Sequence, residues 1–340
     1  MTKLRYAKRL FDRKPMACHL YVTDQCNLDC QYCSEFDNRA SHPALEDLKR
    51  WSRKARELGC LHIGLQGGEP LLYPHIVDVV RHCKEIGFTV SLSTNGFLLS
   101  ADLARGLDDA GLDTLQISVD RMRPAASTQK ALKSVATKLG HLAGCRFGVQ
   151  IAGVLFADTV SECREVLEYS LARGIPAHFR LVHPDPKQNY RVPVGEKRYL
   201  EAFIDDMMAR KAGGQKIHST WAILDYQKGL LTGREADWTC TAGYKYFFIS
   251  SQGKFWPCSM YRTEFDIMDV TSECLNSFYR KKTCQTNCGV YCTVTASLAC
   301  AHPVRFLIGE LGIGRKAAQG GRETDALPQQ GPAVEPPLRA

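Results

Sequence analysis

The sequence contains no long apolar segment. Among its 340 residues, no stretch approaches the ~18 uninterrupted apolar residues that a membrane-spanning helix needs. The N-terminal stretch Met-Thr-Lys-Leu-Arg-Tyr-Ala-Lys-Arg-Leu-Phe also lacks the apolar core of a secretory signal peptide. We therefore expect no integral membrane segment, and a cytoplasmic location in which the 15 cysteines stay reduced.

Motifs for nucleic-acid recognition are also missing, since no aromatic platform accompanies the basic residues, and we expect no nucleic-acid partner. The net charge of +8 either complements an acidic electron donor such as a flavodoxin or ferredoxin or belongs to a solvated surface. Leu4, Ala7, Leu10 and Phe11 recur at helical spacing among Lys and Arg, which predicts a basic amphipathic helix within residues 1–17. Such a helix more often packs beneath a domain, and peripheral membrane contact is the alternative.

Short apolar runs alternate with longer amphipathic segments through the first half of the chain. The predicted strands are residues 18–23, 61–66, 89–93, 114–119, 150–155 and 178–183. The predicted helices between them are residues 44–58, 75–86, 101–110, 127–142 and 161–172. Repeated βα units build parallel sheets, so the chain is predicted to be α/β, with an open, partial (βα)6 barrel over residues 18–198.

The second half of the chain has a different composition. Two more helices, 199–211 and 220–231, are predicted to form a helical bridge over residues 199–236. A small cysteine-rich domain is expected over residues 237–308. Residues 309–340 are rich in Gly, Gln, Pro and Ala without periodicity, a composition that cannot bury a core, so this tail is predicted to be disordered.

Three cysteines form a C-x3-C-x2-C triplet immediately after the first predicted strand: Cys26, Cys30 and Cys33. Thiolates so closely spaced can ligate three irons of a cubane cluster and leave the fourth iron open to a small molecule. A zinc site usually needs two ligand pairs separated by a longer gap. The triplet therefore favours an iron–sulfur cluster over a zinc site or plain thiols.

Other motifs follow the next strands in turn. Gly-Gly-Glu-Pro at 67–70 follows the second strand, Thr-Asn-Gly at 94–96 the third, and Asp120 the fourth. In a parallel barrel the carboxyl ends of the strands form the active-site rim, so all these motifs are expected on one rim. Together with Asn27 and Tyr32, the triplet and its companions resemble the radical S-adenosylmethionine (SAM) enzymes over about residues 15–190.

This resemblance implies that Cys26, Cys30 and Cys33 hold a [4Fe-4S] cluster whose open iron binds the amino and carboxylate groups of SAM. Reductive cleavage of SAM would then produce a 5′-deoxyadenosyl radical that abstracts hydrogen from a substrate. The resemblance also implies a cofactor-binding set: Tyr32, Gly67, Gly68, Glu69, Pro70, Ser93, Asn95, Ser118 and Leu181.

Within this set, the glycine carbonyls would meet the methionine ammonium, and Glu69 would offer it an acceptor. The ribose hydroxyls or the carboxylate would bind Ser93, Asn95 and Ser118, while Tyr32 and Leu181 would flank adenine. Helix capping is the alternative role for a Ser or Asn at a strand end. Asp120 and His183 could face substrate, although His183 is more simply a structural histidine.

A second cysteine region begins with Cys240 and Cys258, which flank a predicted β-hairpin. Their C-x12-G-x4-C spacing resembles the SPASM and twitch extensions of radical SAM enzymes, which hold auxiliary clusters. Downstream, the run C-x3-C-x3-C departs from the C-x2-C-x5-C-x3-C of a complete SPASM domain. We expect one auxiliary [4Fe-4S] cluster on Cys240, Cys258 and two of three downstream cysteines, with two clusters or zinc as alternatives. Those three are Cys284, Cys288 and Cys292; Cys274 and Cys300 lie outside them.

Five further cysteines are scattered among the predicted strands and helices and are expected to be small buried hydrophobes: Cys18, Cys60, Cys83, Cys145 and Cys163. These residues follow no ligand spacing.

The resemblance leads us to expect an enzyme that oxidatively modifies or crosslinks a peptide. A small-molecule or lipid substrate is the alternative within the class, and a non-catalytic iron–sulfur electron carrier is the alternative outside it. Only 25 residues precede Cys26, so recognition of a peptide leader would need another chain or the barrel itself. A flavodoxin or ferredoxin is the expected reductant.

Overall fold

The computed structural model describes residues 2–156, 159–182, 197–234, 237–284 and 288–311. Its eight strands are β1 Ala17–Thr23, β2 His62–Gly67, β3 Thr89–Thr94, β4 Thr114–Ser118, β5 Gly148–Leu155, β6 Ala177–Leu181, β7 Tyr246–Ile249 and β8 Phe255–Trp256. Its α-helices are α1 Thr2–Phe11, α2 Leu45–Leu58, α3 Ile76–Glu85, α4 Ala101–Asp109, α5 Leu132–Val135, α6 Val160–Ala172, α7 Lys197–Ala212, α8 Trp221–Thr232, α9 Ser272–Ser277, α10 Tyr291–Ala301 and α11 Pro303–Leu311.

All strands belong to one sheet, in the order β6-β5-β4-β3-β2-β1-β7-β8. Neighbouring strands from β6 to β7 are parallel, and only β7 and β8 are antiparallel. The six predicted strands are therefore present, and the predicted α/β class with a parallel sheet is confirmed.

The sheet curls so that its first and sixth strands approach each other. In a flat sheet β1 and β6 would be about 24 Å apart, five strand spacings. Arg180 on β6 is nevertheless near enough to His19 of β1 to contribute to the lowered pKa of that imidazole. The Tyr32 ring, in the loop that follows β1, lies 5.6 Å from the Phe156 ring just after β5. The concave face is therefore a lumen, as expected of a partial barrel.

Side chains alternate between this lumen and the helix layer. On β3 and β4, for example, Leu92 and Ile117 are fully buried against the helices, whereas Ser93 and Ser118 are half-buried on the opposite face. The main core lies between the convex face of the sheet and its covering helices. The polar residues at strand ends are therefore left facing the lumen.

The hairpin β7–β8 extends this sheet. Strand β7 pairs in parallel with β1, with Ala17 opposite Tyr246 and Leu20 opposite Ile249. Gly253 in the hairpin turn has φ +75°, and a Cβ there would lie 2.5 Å from Trp51 of α2. The predicted hairpin is therefore present, and it continues the barrel sheet at the edge where the cysteine triplet lies.

The helix predicted over residues 127–142 is wrong. Only Leu132–Val135 is α-helical, and Lys138–Leu142 is a separate 3-10 turn. Residues 128–131 lie extended beside the end of β4, where Asp120 N–H donates to the Lys130 carbonyl and Leu132 N–H donates to the Arg121 carbonyl. Tertiary hydrogen bonds to this strand end outweigh the local helical periodicity.

At the other end of the barrel, α1 packs against α10 and α11. Packing against the rest of the protein was the favoured prediction for this helix. Lys245 holds the end of α1 and the residues after it by donating to the Arg9 carbonyl at 2.7 Å and to the Lys14 carbonyl at 3.2 Å. Leu4 and Phe11 remain largely exposed.

The predicted bridge region contains α7 and α8, while α11 continues to Leu311, so residues 309–311 of the predicted tail are helical. Residues 312–340 and His183 lie outside the described part of the chain. No individual helix in the described ranges is both long and apolar enough to span a membrane. One pair bent by 109°, Tyr291–Ala301 with Pro303–Glu310, meets that test only when its two helices are taken together.

Candidate active site

The cysteine triplet lies in the loop that follows β1. Cys33 N–H donates to the Cys30 carbonyl at 3.0 Å, forming a turn that brings these two residues together. Cys30 is buried, whereas Cys26 and Cys33 are half-buried. Burial raises the pKa of the Cys26 thiol to about 11, and a hydrogen bond from Leu28 N–H to its sulfur, together with the Lys130 charge, opposes that rise.

The glycine pair brings the β2 loop against this cysteine loop. Gly68 N–H donates to the Thr23 carbonyl at 3.0 Å, and Glu69 N–H donates to the Gln25 carbonyl at 2.7 Å. A Cβ on Gly67 would lie 2.1 Å from the Thr23 carbonyl oxygen, and one on Gly68 would lie 2.3 Å from that of Gln25. The absence of Cβ atoms here therefore permits close contact between two backbone segments, while the predicted contact of the glycine carbonyls with SAM stays a prediction.

Alanine at position 68 is expected to displace the cysteine loop, because its Cβ must push back the backbone at Asp24 and Gln25. We expect Gly68→Ala to lower the free energy of unfolding by about 1–3 kcal/mol and to reduce the iron retained after reconstitution. Chemical denaturation and iron analysis measure the two effects. Gly140→Ala is the matched control, since a Cβ there meets nothing within 4 Å. Equal stability and iron content in both variants would contradict the prediction.

Glu69 is 1% exposed, and its carboxylate is bound by protein donors. Its oxygens accept hydrogen bonds from Leu71 N–H at 3.0 Å, Thr94 Oγ1 at 2.6 Å and Asn95 N–H at 2.7 Å. Glu69 thereby caps the 3-10 turn that begins at Pro70 and joins the ends of β2 and β3. These contacts favour a positioning role for Glu69 over a direct contact with SAM.

Asn95 continues this chain of contacts. Its Nδ2 donates to Asn27 Oδ1 at 2.7 Å, which joins the end of β3 to the cysteine loop. Its Oδ1 accepts from Phe97 N–H at 3.0 Å, so the side chain also caps its own turn. Ser93 and Ser118 lie half-buried on the lumen face near the ends of β3 and β4, where they remain available to a ligand.

Asp120 is the centre of a buried polar network beside the triplet. It is 1% exposed and accepts from Tyr32 OH at 2.6 Å, Thr128 Oγ1 at 2.9 Å and Val154 N–H at 3.0 Å. The side chain therefore does not face a substrate as the sequence suggested. It joins the cysteine loop to β4 and β5.

Two residues of this network were missed in the sequence. Lys130 Nζ donates to Tyr32 OH at 3.0 Å and lies 5.2 Å from the centre of the Tyr32 ring. Thr128 Oγ1 lies 3.4 Å from Cys30 Sγ. Both fall inside the segment wrongly predicted as helix, so no sequence signal placed them near the cysteines.

An apolar surface lies beside Tyr32. Val154, Phe156 and Val182 form a small buried cluster against its ring. Leu181, expected next to Tyr32, instead belongs to the main core under the sheet, and its backbone N–H donates to Gln227 at 2.8 Å. The structure thus places Val182, one residue further along, on the lumen side of this strand end.

The second cysteine set is gathered at the open end of the hairpin. Burial raises the pKa of Cys288 to about 12, and the neighbouring thiols of Cys258, Cys240 and Cys284 contribute to that rise. Burial also raises the pKa of Cys258 to about 12, with contributions from Cys292, Cys240 and Cys284. The thiols of Cys240, Cys284 and Cys288 thus lie near enough to Cys258 to influence its pKa or be influenced by it, and Cys292 also acts on Cys258.

Three other cysteines have further contacts. Cys292, which also acts on Cys258, forms a hydrogen bond with Tyr246. Cys300 Sγ lies 3.9 Å from Met16 Sδ, and Cys274 lies beside Thr271 at the start of α9. Of the scattered cysteines, Cys145 is half-buried, whereas the other four are fully buried as predicted: Cys18, Cys60, Cys83 and Cys163.

The hairpin region is bonded directly to the cysteine loop at both ends of the triplet. Before Cys26, Asp24 accepts from Ser251 Oγ at 2.5 Å and from Gln252 Nε2 at 2.9 Å. After Cys33, Glu35 accepts from Tyr21 OH at 2.6 Å and from Arg262 at 3.0 Å. Half-buried and exposed polar contacts thus join the hairpin region to the loop that carries the triplet.

These donors fit iron–sulfur clusters. Iron binds thiolates, the deprotonated form of cysteine. The positive charge of Lys130 favours that form by opposing the rise in the pKa of Cys26 and Cys33. In the second region, Lys282 donates to the Cys240 carbonyl at 2.9 Å. In the described ranges, no three His, Cys, Asp or Glu side chains converge as ligands of one metal ion. Each cysteine of a cubane binds a different iron, so its ligands stand further apart than those of a single ion.

Known proteins resemble the chain in sequence. A family model described as the radical SAM superfamily matches residues 20–185. A probable GTP 3′,8-cyclase of Methanothermobacter marburgensis is 40% identical over 49% of this chain and 52% of its own length. A PqqA peptide cyclase of Methylocella silvestris is 38% identical over 31% of this chain and 29% of its own length. A GTP 3′,8-cyclase of Helicobacter pylori is 28% identical over 73% of this chain and 82% of its own length. The chain spans about half or less of the first two relatives.

Solved structures show the same fold. Streptococcus suis SuiB bound to the precursor peptide SuiA has a TM-score of 0.61 at 16% identity, covering 86% of this chain and 73% of SuiB. The protein anSMEcpe with bound AdoMet has a TM-score of 0.62 at 16% identity, covering 88% and 100%. At these identities the likeness concerns the fold. The family match is what identifies residues 20–185 as a radical SAM superfamily domain, and the cofactors of that superfamily are a [4Fe-4S] cluster and S-adenosylmethionine.

Proposed function

We propose that this chain cleaves SAM reductively and uses the resulting 5′-deoxyadenosyl radical to abstract hydrogen from a peptide, which is then oxidatively modified or crosslinked. When bound by Cys26, Cys30 and Cys33, the [4Fe-4S] cluster supplies the electron for SAM cleavage. A flavodoxin or ferredoxin would provide that electron. We propose a reducing cytoplasm as its location, because cysteines that bind iron–sulfur clusters must stay reduced.

The residues around the triplet have separable roles in this proposal. Ser93, Asn95 and Ser118 offer polar groups to SAM near the ends of β3 and β4. The cluster of Val154, Phe156 and Val182 with Tyr32 offers an apolar surface suited to adenine. Burial of this surface and of Asp120 excludes water from the place where a radical must be protected.

One observation carries the oxidative part of the proposal. The hairpin continues the barrel sheet, and Asp24 and Glu35 bond it to both ends of the cysteine loop. Cys240, Cys258, Cys284 and Cys288 would hold an auxiliary [4Fe-4S] cluster in that region, a group able to accept one electron. A substrate that loses a hydrogen atom, one further electron and one proton undergoes the two-electron oxidation that a crosslink requires.

The names of three kinds of similar protein bear on the substrate. The PqqA peptide cyclase and the SuiB complex with SuiA support a peptide, whereas the GTP 3′,8-cyclases support a small molecule as the second candidate. A lipid substrate has no comparable support here. An electron carrier has no use for SAM, so the match of residues 20–185 to the radical SAM superfamily argues against that hypothesis.

The test is formation of 5′-deoxyadenosine by anaerobically reconstituted protein supplied with SAM and dithionite. The matched control is the Cys26/Cys30/Cys33 triple alanine variant. Product that depends on the triplet supports the proposal. The absence of product in a preparation with full iron and bound SAM, with or without candidate peptides, would refute it.

A further inference from the structure

Arg180 is a half-buried cation on the lumen face of the barrel. It occupies β6 one residue before the carboxyl end of the strand, opposite Val154 of β5. Phe179 and Leu181 on either side belong to the main core, so Arg180 and His178 lie on the lumen face. Within the described ranges, no carboxylate pairs with Arg180 and no acceptor binds its guanidinium, although it is half-buried.

The groups around Arg180 do not neutralise it. Burial lowers the pKa of His19 to about 3, with contributions from His62 and Arg180, and burial lowers the pKa of His178 well below its usual value. Both imidazoles are therefore neutral near pH 7. Their Nδ1 atoms are buried and have no hydrogen-bond partner among the residues that the structure describes. The charge of Arg180 thus lies near two neutral imidazoles, the Tyr291 ring and the thiol of Cys292, none of which is a carboxylate.

The position of Arg180 connects the two cysteine regions. Its register partner Val154 belongs to the apolar cluster beside Tyr32. On its other side, a small cavity between β6, α8 and α10 is lined by Arg180, Tyr291 and Cys288. A molecule bound at Arg180 would therefore lie between the proposed SAM site and the second cysteine set.

We propose that Arg180 binds an oxyanion of the substrate, a carboxylate or a phosphate. The planar guanidinium offers paired donors that match either group, and a half-buried cation binds an anion more strongly than an exposed one. The inference rests on the proposed function in assigning this anion to a substrate. It makes Arg180 a residue that selects acidic substrates and positions them in the lumen.

The experiment measures anion binding without turnover. Reconstituted, SAM-loaded protein is titrated calorimetrically under anaerobic conditions and constant ionic strength with N-acetylglutamate and with inorganic phosphate. We expect wild type to bind at least one probe and Arg180→Gln to bind it about 10- to 100-fold more weakly. Arg180→Lys should recover part of the loss, because the charge remains but the paired donors do not. A preference for N-acetylglutamate indicates a carboxylate, and a preference for phosphate indicates a phosphorylated substrate.

Arg173→Gln is the matched control. Arg173 is an exposed arginine in the loop between α6 and β6, at the end of the barrel opposite the rim. Equal binding by wild type and Arg180→Gln, or binding of neither probe by wild type, would overturn the inference. So would a loss of iron from Arg180→Gln, which would make the arginine a counter-ion of the second cysteine set. A matching loss of SAM affinity would identify the anion as the SAM carboxylate and would also overturn it. Failure of SAM cleavage in wild type would refute the proposed function and leave these titrations readable.

Discussion

Replacement of Cys30 by alanine is expected to lower 5′-deoxyadenosine formation by at least about 10³-fold, to the level seen without protein. Cys30 is the buried member of the triplet and lies against Thr128 in the network centred on Asp120. Its loss removes one of three thiolates in the loop, and two thiolates leave a second iron without a protein ligand. Chromatographic quantification of 5′-deoxyadenosine, alongside iron content, measures the effect.

Cys145→Ala is the control for this change. Cys145 is a half-buried cysteine of the barrel, and its sulfur lies 4.0 Å from the Ala104 carbonyl, outside the site. It should retain wild-type cleavage within about twofold. If Cys30→Ala and Cys145→Ala cleave SAM equally, the assignment of Cys30 as a cluster ligand is wrong.

Replacement of Cys258 by alanine is expected to separate SAM cleavage from product formation. We expect SAM cleavage to continue within about tenfold of wild type while formation of the oxidised product falls by at least about 10²-fold. The triplet and its network retain all their contacts in this variant, whereas the second set loses a half-buried thiol that neighbours Cys240, Cys284 and Cys288. Iron content should fall by up to about four atoms per chain, the content of one [4Fe-4S] cluster.

The comparison for Cys258→Ala is Cys274→Ala, because Cys274 lies in the same region of the sequence but beside Thr271, apart from the other thiols. It should keep both iron and product. Retention of full iron by Cys258→Ala, or loss of iron by both variants alike, would count against the proposed ligand set. Cleavage and product can be followed in the same anaerobic reaction once a substrate is known, and iron content can be measured before that.

Local sequence patterns predicted the elements of this fold well where neighbouring segments did not compete. The six strands up to β6 and the helices between them follow apolar periodicity, which is a property of the chain itself. The exception is residues 127–142. There the periodicity favoured a helix, but hydrogen bonds from residues 128–132 to the end of β4 hold an extended segment, and sequence periodicity does not report such contacts.

Some residues of the candidate site could be predicted from the sequence and others could not. The spacing of the triplet is local, so the sequence was sufficient to nominate Cys26, Cys30 and Cys33 as iron ligands. The contacts of Lys130 and Arg180 are long-range, because they depend on how far the sheet curls and which side chains face the lumen. Their charges are also unremarkable among the many Lys and Arg residues of a basic chain.

The sequence by itself determined the α/β class, the six βα units and the resemblance carried by the cysteine triplet, because each follows from the identity and spacing of nearby residues. Only the tertiary structure decided that the hairpin extends the barrel sheet, that Gly67 and Gly68 serve contact between backbone segments, and that Asp120 is buried. These features depend on the packing of segments that are far apart in the chain. Packing of that kind is set by shape, burial and hydrogen-bond satisfaction across the whole domain.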